Sequence, residues 1–288
     1  MFPEKITAYY RSLFTGNIEN DPLQRLVCRL PAEENRSPDE SDDPTGDSLF
    51  AHGKIIHRYP SRALLLLTGR CPAHCRFCFR RGQTARYADI DDEELTQACG
   101  YLREHEEIRE IILSGGDPLS LPNSRLLEII ELLKGVRRDL LIRVHTRFPI
   151  YEPSRCIGFE AVAALVDVFV LHINHPREIT LETRRALQVL ARHAPLFNQS
   201  VLLRGINDSL TVLIELSYTL FRAGVIPYYL HYPDNAYGIA HFRPTHSAAA
   251  ALVATLPKYL PGYLIPRLMV TNTAKQGKIV LDPPLESE

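Results

Sequence analysis

Three cysteines fall within eight positions, Cys71, Cys75 and Cys78 in the stretch CPAHCRFC, in a 288-residue chain that has only six. Thiolates at this spacing are metal ligands. A zinc ion would want a fourth ligand, His74 or a distant residue, whereas a four-iron cluster held by three thiolates keeps one iron open to a small molecule. Arg76, Arg80 and Arg81 lie in or beside the same stretch. Guanidinium groups are expensive in a plain apolar core, which argues against three thiols buried there by coincidence. Cys28, Cys99 and Cys156 stand singly without ligand spacing and read as small buried hydrophobes.

Two further stretches carry chemistry-bearing types. LSGGDPL, residues 113–119, contains Ser114, Gly115, Gly116 and Asp117; by itself it is a turn signal, and beside a metal site its glycines allow close backbone approach. Near the C-terminal end, RLMVTNTAKQGKIVLDPP holds Lys275 and Lys278. A lysine amine can attach pyridoxal phosphate covalently, and spacing does not choose between the two.

These groups need elements to position them. Apolar runs at 62–68, 109–115, 140–146, 166–173, 197–203 and 225–232 read as strands. Between them lie helical patterns such as DDEELTQACGYLREH, with acidic residues at its start, SRLLEIIELLKG, expected to close on Gly135, and TLETRRALQVLARH. This alternation predicts six βα units with a parallel sheet. Each strand is followed by polar residues: the cysteines, SGGDP, HTR, HINH, RGIND and HYPD. Gathering these ends on one rim predicts a partial TIM-type barrel rather than a flat doubly wound sheet. On the rim, His145, Arg147, His172, Asn174, His175, Asn198 and Gln199 read either as groups orienting a cofactor or as caps on strand ends.

The division expected along the chain is 1–48 as a short helical appendage followed by a polar loop or mobile linker at 31–48, then 49–245 as the barrel, then 246–288 as a C-terminal helix and lysine segment. At 45% hydrophobic the chain can bury a substantial core, and its formal charge of -1 gives no reason to expect a nucleic acid partner. The N-terminal stretch lacks the pattern of a secretory signal, and no run approaches the roughly 18 apolar residues of a membrane span. A cytoplasmic location with reduced thiols and no membrane partner is expected.

CPAHCRFC, with Phe77 just before its last cysteine, resembles the CxxxCxxC signature of the radical S-adenosylmethionine superfamily. The wider pattern, RYPSRALLLLTGRCPAHCRFCFRR, LSGGDPL, FNQSVLLRGIND, PYYLHYPDNAYGIAHFR and PGYLIPRL, resembles the lysine 2,3-aminomutase family, including its elongation factor P branch, over roughly residues 20–282. The resemblance implies a [4Fe-4S] cluster on Cys71, Cys75 and Cys78, S-adenosyl-L-methionine on the open iron, and Ser114, Gly115, Gly116 and Asp117 around the methionine end of that cofactor. It implies pyridoxal 5'-phosphate on Lys278, in GKIVL, leaving Lys275 at the surface, with Arg58 and Tyr59 seating the cofactor and Arg62 nearby. Arg80 falls where the family grips the substrate carboxylate, a task suited to a bidentate guanidinium. Asp234 falls where it pairs the substrate ammonium. The second carboxylate of the free-lysine enzymes is replaced here by Thr271.

The implied reaction moves the α-amino group of L-lysine to the β-carbon. A 5'-deoxyadenosyl radical takes hydrogen from the β-carbon, the nitrogen migrates while attached to pyridoxal phosphate, and hydrogen is returned. The resemblance also implies an electron donor such as flavodoxin or ferredoxin, and a monomer or small oligomer. Alternative substrates are a lysine of elongation factor P, favoured by the YYLH and AHF wording, or another amino acid, raised by Thr271. The competing class is a non-catalytic iron–sulfur module, which would have no use for Lys278.

Overall fold

A computed structural model of the chain describes residues 2–83, 87–272 and 277–281. Its ten strands form one sheet with neighbours in chain order. β1 (Ala51–His52) and β2 (Ile55–Tyr59) are antiparallel additions ahead of β3 (Arg62–Thr68). β3 then runs parallel with β4 (Glu110–Gly115), β5 (Leu141–Thr146), β6 (Val168–Leu171), β7 (Leu196–Val201) and β8 (Val225–His231). These are the six runs expected from the sequence: β3 has the expected bounds, β7 begins one residue earlier, and the ends otherwise differ by one or two residues. The parallel series extends to β9 (Arg267–Asn272), and β10 (Gly277–Val280) folds back antiparallel on it. The expected C-terminal helix is followed by this hairpin, so Lys278 sits on a strand directly opposite Thr271.

The helices are α1 (Ala8–Ser12), α2 (Pro22–Val27), α3 (Asp92–Glu104), α4 (Asn123–Val136), α5 (Phe148–Tyr151), α6 (Glu160–Ala163), α7 (Leu181–Ala191), α8 (Leu210–Arg222) and α9 (His246–Thr255). Local chemistry sets their starts. Asp91 accepts from the Glu94 N–H while the Glu94 side chain accepts from the Asp91 N–H, a reciprocal cap on α3. Thr180, Ser209 and Thr245 cap α7, α8 and α9 from one side only, each side chain accepting from a first-turn N–H. The helix α4 continues one residue past Gly135 rather than closing on it, because its buried stripe of Leu126, Ile129, Ile130 and Leu133 holds the last turn against the sheet.

Leu65, Leu67, Ile111, Leu113, Ile142, Val144, Phe169 and Leu171 are buried in one continuous core with the inner faces of α3, α4 and α7. The same core takes in Tyr10, Leu23, Leu26 and Val27, all fully buried. Burying each such side chain is worth about 1.5–3 kcal/mol. The expectation of an N-terminal appendage is therefore corrected: α1 and α2 are part of the main body.

Among the described residues the sheet does not close by a ladder. The edge strand β10 instead reaches β2 through one side chain: the Lys278 backbone N–H donates to the Tyr59 hydroxyl at 2.9 Å. A Cβ at Gly277 would lie only 3.1 Å from the Tyr59 ring, so glycine lets the hairpin approach β2. The architecture is the expected partial barrel, sealed on one side by a tyrosine.

Candidate active site at the strand ends

All parallel strands point their C-terminal ends at one rim, and the cysteine loop that follows β3 forms one side of it. The loop is held from outside by the N-terminal segment. Lys5 donates to the Cys71 carbonyl at 2.7 Å, and the His74 and Arg76 N–H groups donate to the carbonyls of Lys5 and Leu26, both at 2.8 Å. Arg76, with no solvent exposure, donates to the Pro3 carbonyl at 3.0 Å and to Glu33 Oε1 at 2.8 Å. Arg81 donates to Glu33 Oε2 at 2.6 Å. Glu33 thus neutralises two arginines of the loop, and their hydrogen bonds keep its carboxyl below the usual range despite burial.

The cysteines meet the requirements of a cluster better than those of a lone ion. Burial pushes all three thiols up, Cys78 to about 11, and each of Cys71 and Cys78 also feels the charge of a neighbouring cysteine. Among the described residues, the group whose ligand atoms gather within 4.8 Å lies elsewhere and does not include these sulfurs. Four ligands on zinc would stand closer, about 3.8 Å apart for Zn–S near 2.3 Å. His74, the near candidate for a fourth zinc ligand, spends Nδ1 on the Pro3 carbonyl at 2.9 Å and stacks on Phe2.

Beside the loop, the glycine turn after β4 is pressed against the chain leaving β3. The Gly116 N–H donates to the Thr68 carbonyl at 2.6 Å and the Asp117 N–H to the Arg70 carbonyl at 2.8 Å. Gly115 has φ +123, and a Cβ at Gly115 or Gly116 would come within 2.4 Å or 2.3 Å of backbone oxygens. Both glycines are required by this backbone contact. Ser114 lies at the end of β4 beside Leu66. Asp117 is buried and accepts from the Thr146 hydroxyl and the Arg147 N–H, both at 2.8 Å, and from the Leu119 N–H at 3.1 Å. Burial pushes its carboxyl up to about 6 against the pull of those donors. It braces the ends of β4 and β5 together.

Several of the polar rim residues turn out to be braces. Arg147 pairs with Glu178, which also accepts from the Tyr10 hydroxyl at 2.7 Å and the Asn174 and His175 N–H groups at 2.7 and 3.1 Å. Asn198 holds both polar groups of Ile173, at 2.8 and 3.0 Å. Asn174 accepts from the Val201 N–H at 2.8 Å.

His175 is a cap, its Nδ1 accepting from the Arg177 N–H at 3.2 Å, whereas His145, His172 and Gln199 share a basin with His231 and Lys278. Lys278 Nζ is 3.4 Å from His231 Nε2, which is 3.5 Å from Gln199 Oε1; Gln199 Nε2 is 3.3 Å from His145 Nδ1. Lys278 is solvent-accessible through the open basin yet surrounded by protein, and burial lowers its ammonium below 10.5. Burial raises Asp234 against the pull of Thr271 and of the Lys278 charge, and the Asp234 charge in turn favours the Lys278 ammonium. Burial together with the Arg147 and Lys278 charges lowers His172 to about 3; His145 and His231 also fall well below 6.5, chiefly through burial. All three imidazoles are neutral in the neutral pH range. His172 also touches Phe77 of the cysteine loop, with ring centroids 5.3 Å apart, which links the two sides of the rim.

Arg58 and Arg80 complete the basin, and both meet a residue that the sequence did not single out. Arg58 Nη2 donates to Asp47 Oδ1 at 2.9 Å and to the Thr45 carbonyl at 2.5 Å, and Arg80 Nη2 lies 2.8 Å from Asp47 Oδ2 without hydrogen-bond alignment. Arg80 Nη1, His145 Nε2 and His172 Nε2 are buried with no hydrogen-bond partner among the described residues. Orphaned polar atoms of this kind fit a site shaped for anionic and polar ligands. Of the two expectations for residues 31–48, the structure has a packed loop rather than a mobile linker: it supplies Glu33, Glu40 and Asp47 to buried or half-buried ion pairs with Arg76, Arg81, Arg243, Arg58 and Arg80. The signal lay in charge complementarity between this acidic stretch and the arginines around the cysteines. Tyr59 acts on Lys278 through its backbone and packs under Arg62, whose guanidinium lies 3.9 Å from the ring centroid. Lys275 lies outside the described residues.

Residues 65–213, from β3 to the start of α8, match the family model described as Radical SAM superfamily. The chain is 35% identical to the L-lysine 2,3-aminomutase of Acetoanaerobium sticklandii over 96% of its own length and 69% of that protein. The chain belongs to the lysine 2,3-aminomutase family of the radical SAM superfamily. The family's enzyme from Clostridium subterminale is 36% identical over 96% of this chain and 68% of its own, and the Escherichia coli L-lysine 2,3-aminomutase is 35% identical over 93% and 80%. This chain is accordingly a lysine 2,3-aminomutase-like isomerase, with the four-iron cluster and S-adenosylmethionine that the superfamily implies and the need for an electron donor that follows from them. Among the described residues no helix is long and apolar enough to cross a membrane.

Proposed function

We propose that the chain moves the α-amino group of L-lysine to the β-carbon, with Cys71, Cys75 and Cys78 holding the cluster and Lys278 the attachment point of pyridoxal phosphate. When bound, the cluster and S-adenosylmethionine supply a hydrogen-abstracting radical and pyridoxal phosphate carries the migrating nitrogen. The observation that carries this reading is Lys278 itself: a lysine with lowered pKa, set among neutral histidines on the rim that also bears the cysteine loop. A lowered pKa gives the uncharged amine that covalent attachment needs.

The other residues follow by charge. Arg58 and Tyr59 flank the cofactor phosphate and Arg80 takes the substrate carboxylate, each guanidinium exchanging Asp47 for the incoming anion. Asp234 takes the ammonium at the far end of the substrate, oriented by Thr271. The glycine turn holds Ser114, Gly115, Gly116 and Asp117 against the cysteine loop, on the side where S-adenosylmethionine would bind. The histidines and Phe77 line the space between and keep water from the reacting atoms. A reducing cytoplasm and a flavodoxin- or ferredoxin-type donor complete the setting.

A second reading, another amino acid as substrate, is favoured by one observation: the hairpin position opposite Lys278 holds Thr271, with no carboxylate, which leaves Asp234, after β8, to meet the substrate ammonium. A lysine on elongation factor P is a third outcome of the same test. Anaerobically reconstituted protein, given S-adenosylmethionine, pyridoxal phosphate and a reductant, is assayed on L-lysine, a panel of other amino acids and elongation factor P. β-Lysine from free lysine at the highest rate supports the proposal; a β-amino product from another substrate only would replace it.

A further inference from the structure

At the end of the sheet opposite the rim, His57, His105 and Glu107 each bring one ligand atom within 4.8 Å of the others. They come from three separate places: β2, the residue that ends α3, and the loop leading into β4. Nothing in the aminomutase chemistry uses them.

One residue orients both imidazoles. The Tyr101 carbonyl accepts from His105 Nδ1 at 2.9 Å, and the Tyr101 hydroxyl meets His57 Nδ1 at 2.9 Å. Tyr101 also stacks on the His105 ring at 3.8 Å, and the two imidazoles stand at 87° with centroids 5.5 Å apart. Metal-binding histidines are commonly fixed this way, the second ring nitrogen donating to a carbonyl or similar partner so that the first presents its lone pair. The competing contact, His57 Nε2 to the Pro60 carbonyl, is a long 3.5 Å. Glu107 is exposed and has no hydrogen bond or ion pair among the described residues, although its charge adds to burial in raising the pKa of Tyr101. Exposed Glu104 and Glu106 add negative potential on either side of His105.

We propose that His57, His105 and Glu107 bind a borderline divalent cation, zinc above all, with water completing the shell. Two imidazoles and a carboxylate are a donor set suited to such ions rather than to magnesium or calcium. Binding would draw the ligand atoms to about 3.4 Å from one another, as Zn–N distances near 2.1 Å require. It would tie the end of α3 to β2, the strand that continues into Arg58 and Tyr59.

The test uses cluster-loaded protein, so that the cysteines are already occupied. Zinc is titrated anaerobically by calorimetry, and one equivalent is then examined by X-ray absorption at the zinc edge. The expected result is one site per chain with a nitrogen and oxygen shell and no sulfur, its affinity at least tenfold lower in His105→Ala and in Glu107→Gln. Absence of binding, a sulfur shell, or affinity unchanged in both variants would overturn the proposal. Each outcome is independent of whether lysine is the substrate.

Discussion

The two sides of the rim are built in opposite ways. On the cysteine side, the loop is locked from outside by Glu33, by carbonyls of the N-terminal segment and by the glycine turn, with Arg76 wholly buried. On the lysine side, a hairpin at the open edge of the sheet meets β2 through the hydroxyl of Tyr59, and Lys278 reaches an open basin. The difference fits the cofactors each side is proposed to hold. A cluster needs its three sulfurs fixed before it assembles, whereas a covalently attached cofactor supplies its own anchor and needs a lysine that can be reached.

The largest expected effect tests the locked side. Cys75→Ser should lose the cluster absorbance and all turnover, yet melt within a few degrees of cluster-free wild type, because the loop's ion pairs remain. A collapse in melting temperature would mean that the sulfurs, not Glu33, organise the loop. Next, Glu33→Ala should cost about 3–5 kcal/mol in chemical denaturation, since it strands buried Arg76 and Arg81 without a counter-charge. A loss under about 1 kcal/mol would put the two sides on an equal footing.

Much of this contrast was hidden in the sequence. The six central strands were legible because they are apolar runs, buried along most of their length in β3, β4 and β6 and at alternate positions in β5 and β7. The cysteine spacing and the strand-end polar groups were legible for the same local reason. The edge strands β1, β2, β9 and β10 were not, since short or half-exposed strands carry no strong period. Asp47 and Glu33 were read as part of a solvated acidic linker; their partners Arg58, Arg80, Arg76 and Arg81 lie 11 to 48 residues away, and no pattern within the linker announces such pairs. Arg147, Asn174 and Asn198 could be read as cofactor-orienting groups or as caps, and only the fold separates a brace from a group that faces the basin.

Two smaller effects probe the open side. Lys278 should take up pyridoxal phosphate, read by the absorbance of the bound cofactor, with a half-point below pH 10.5, because burial disfavours its ammonium. The amine form is gained as pH rises through this lowered value, and a half-point at the value of free lysine would show that burial has no hold on it. Tyr59→Phe should loosen the hairpin by about 0.5–1.5 kcal/mol, the worth of one hydrogen bond, and speed loss of pyridoxal phosphate several-fold while leaving the cluster spectrum unchanged. A change in the cluster spectrum would show that the two sides are not independent.

The most direct measurement compares wild type with Lys278→Ala, both reconstituted with the cluster and given reductant, S-adenosylmethionine, pyridoxal phosphate and L-lysine without oxygen. The variant should keep the cluster and still cleave S-adenosylmethionine to 5'-deoxyadenosine, while forming no β-lysine above background. β-Lysine from the variant at the wild-type rate would contradict the account.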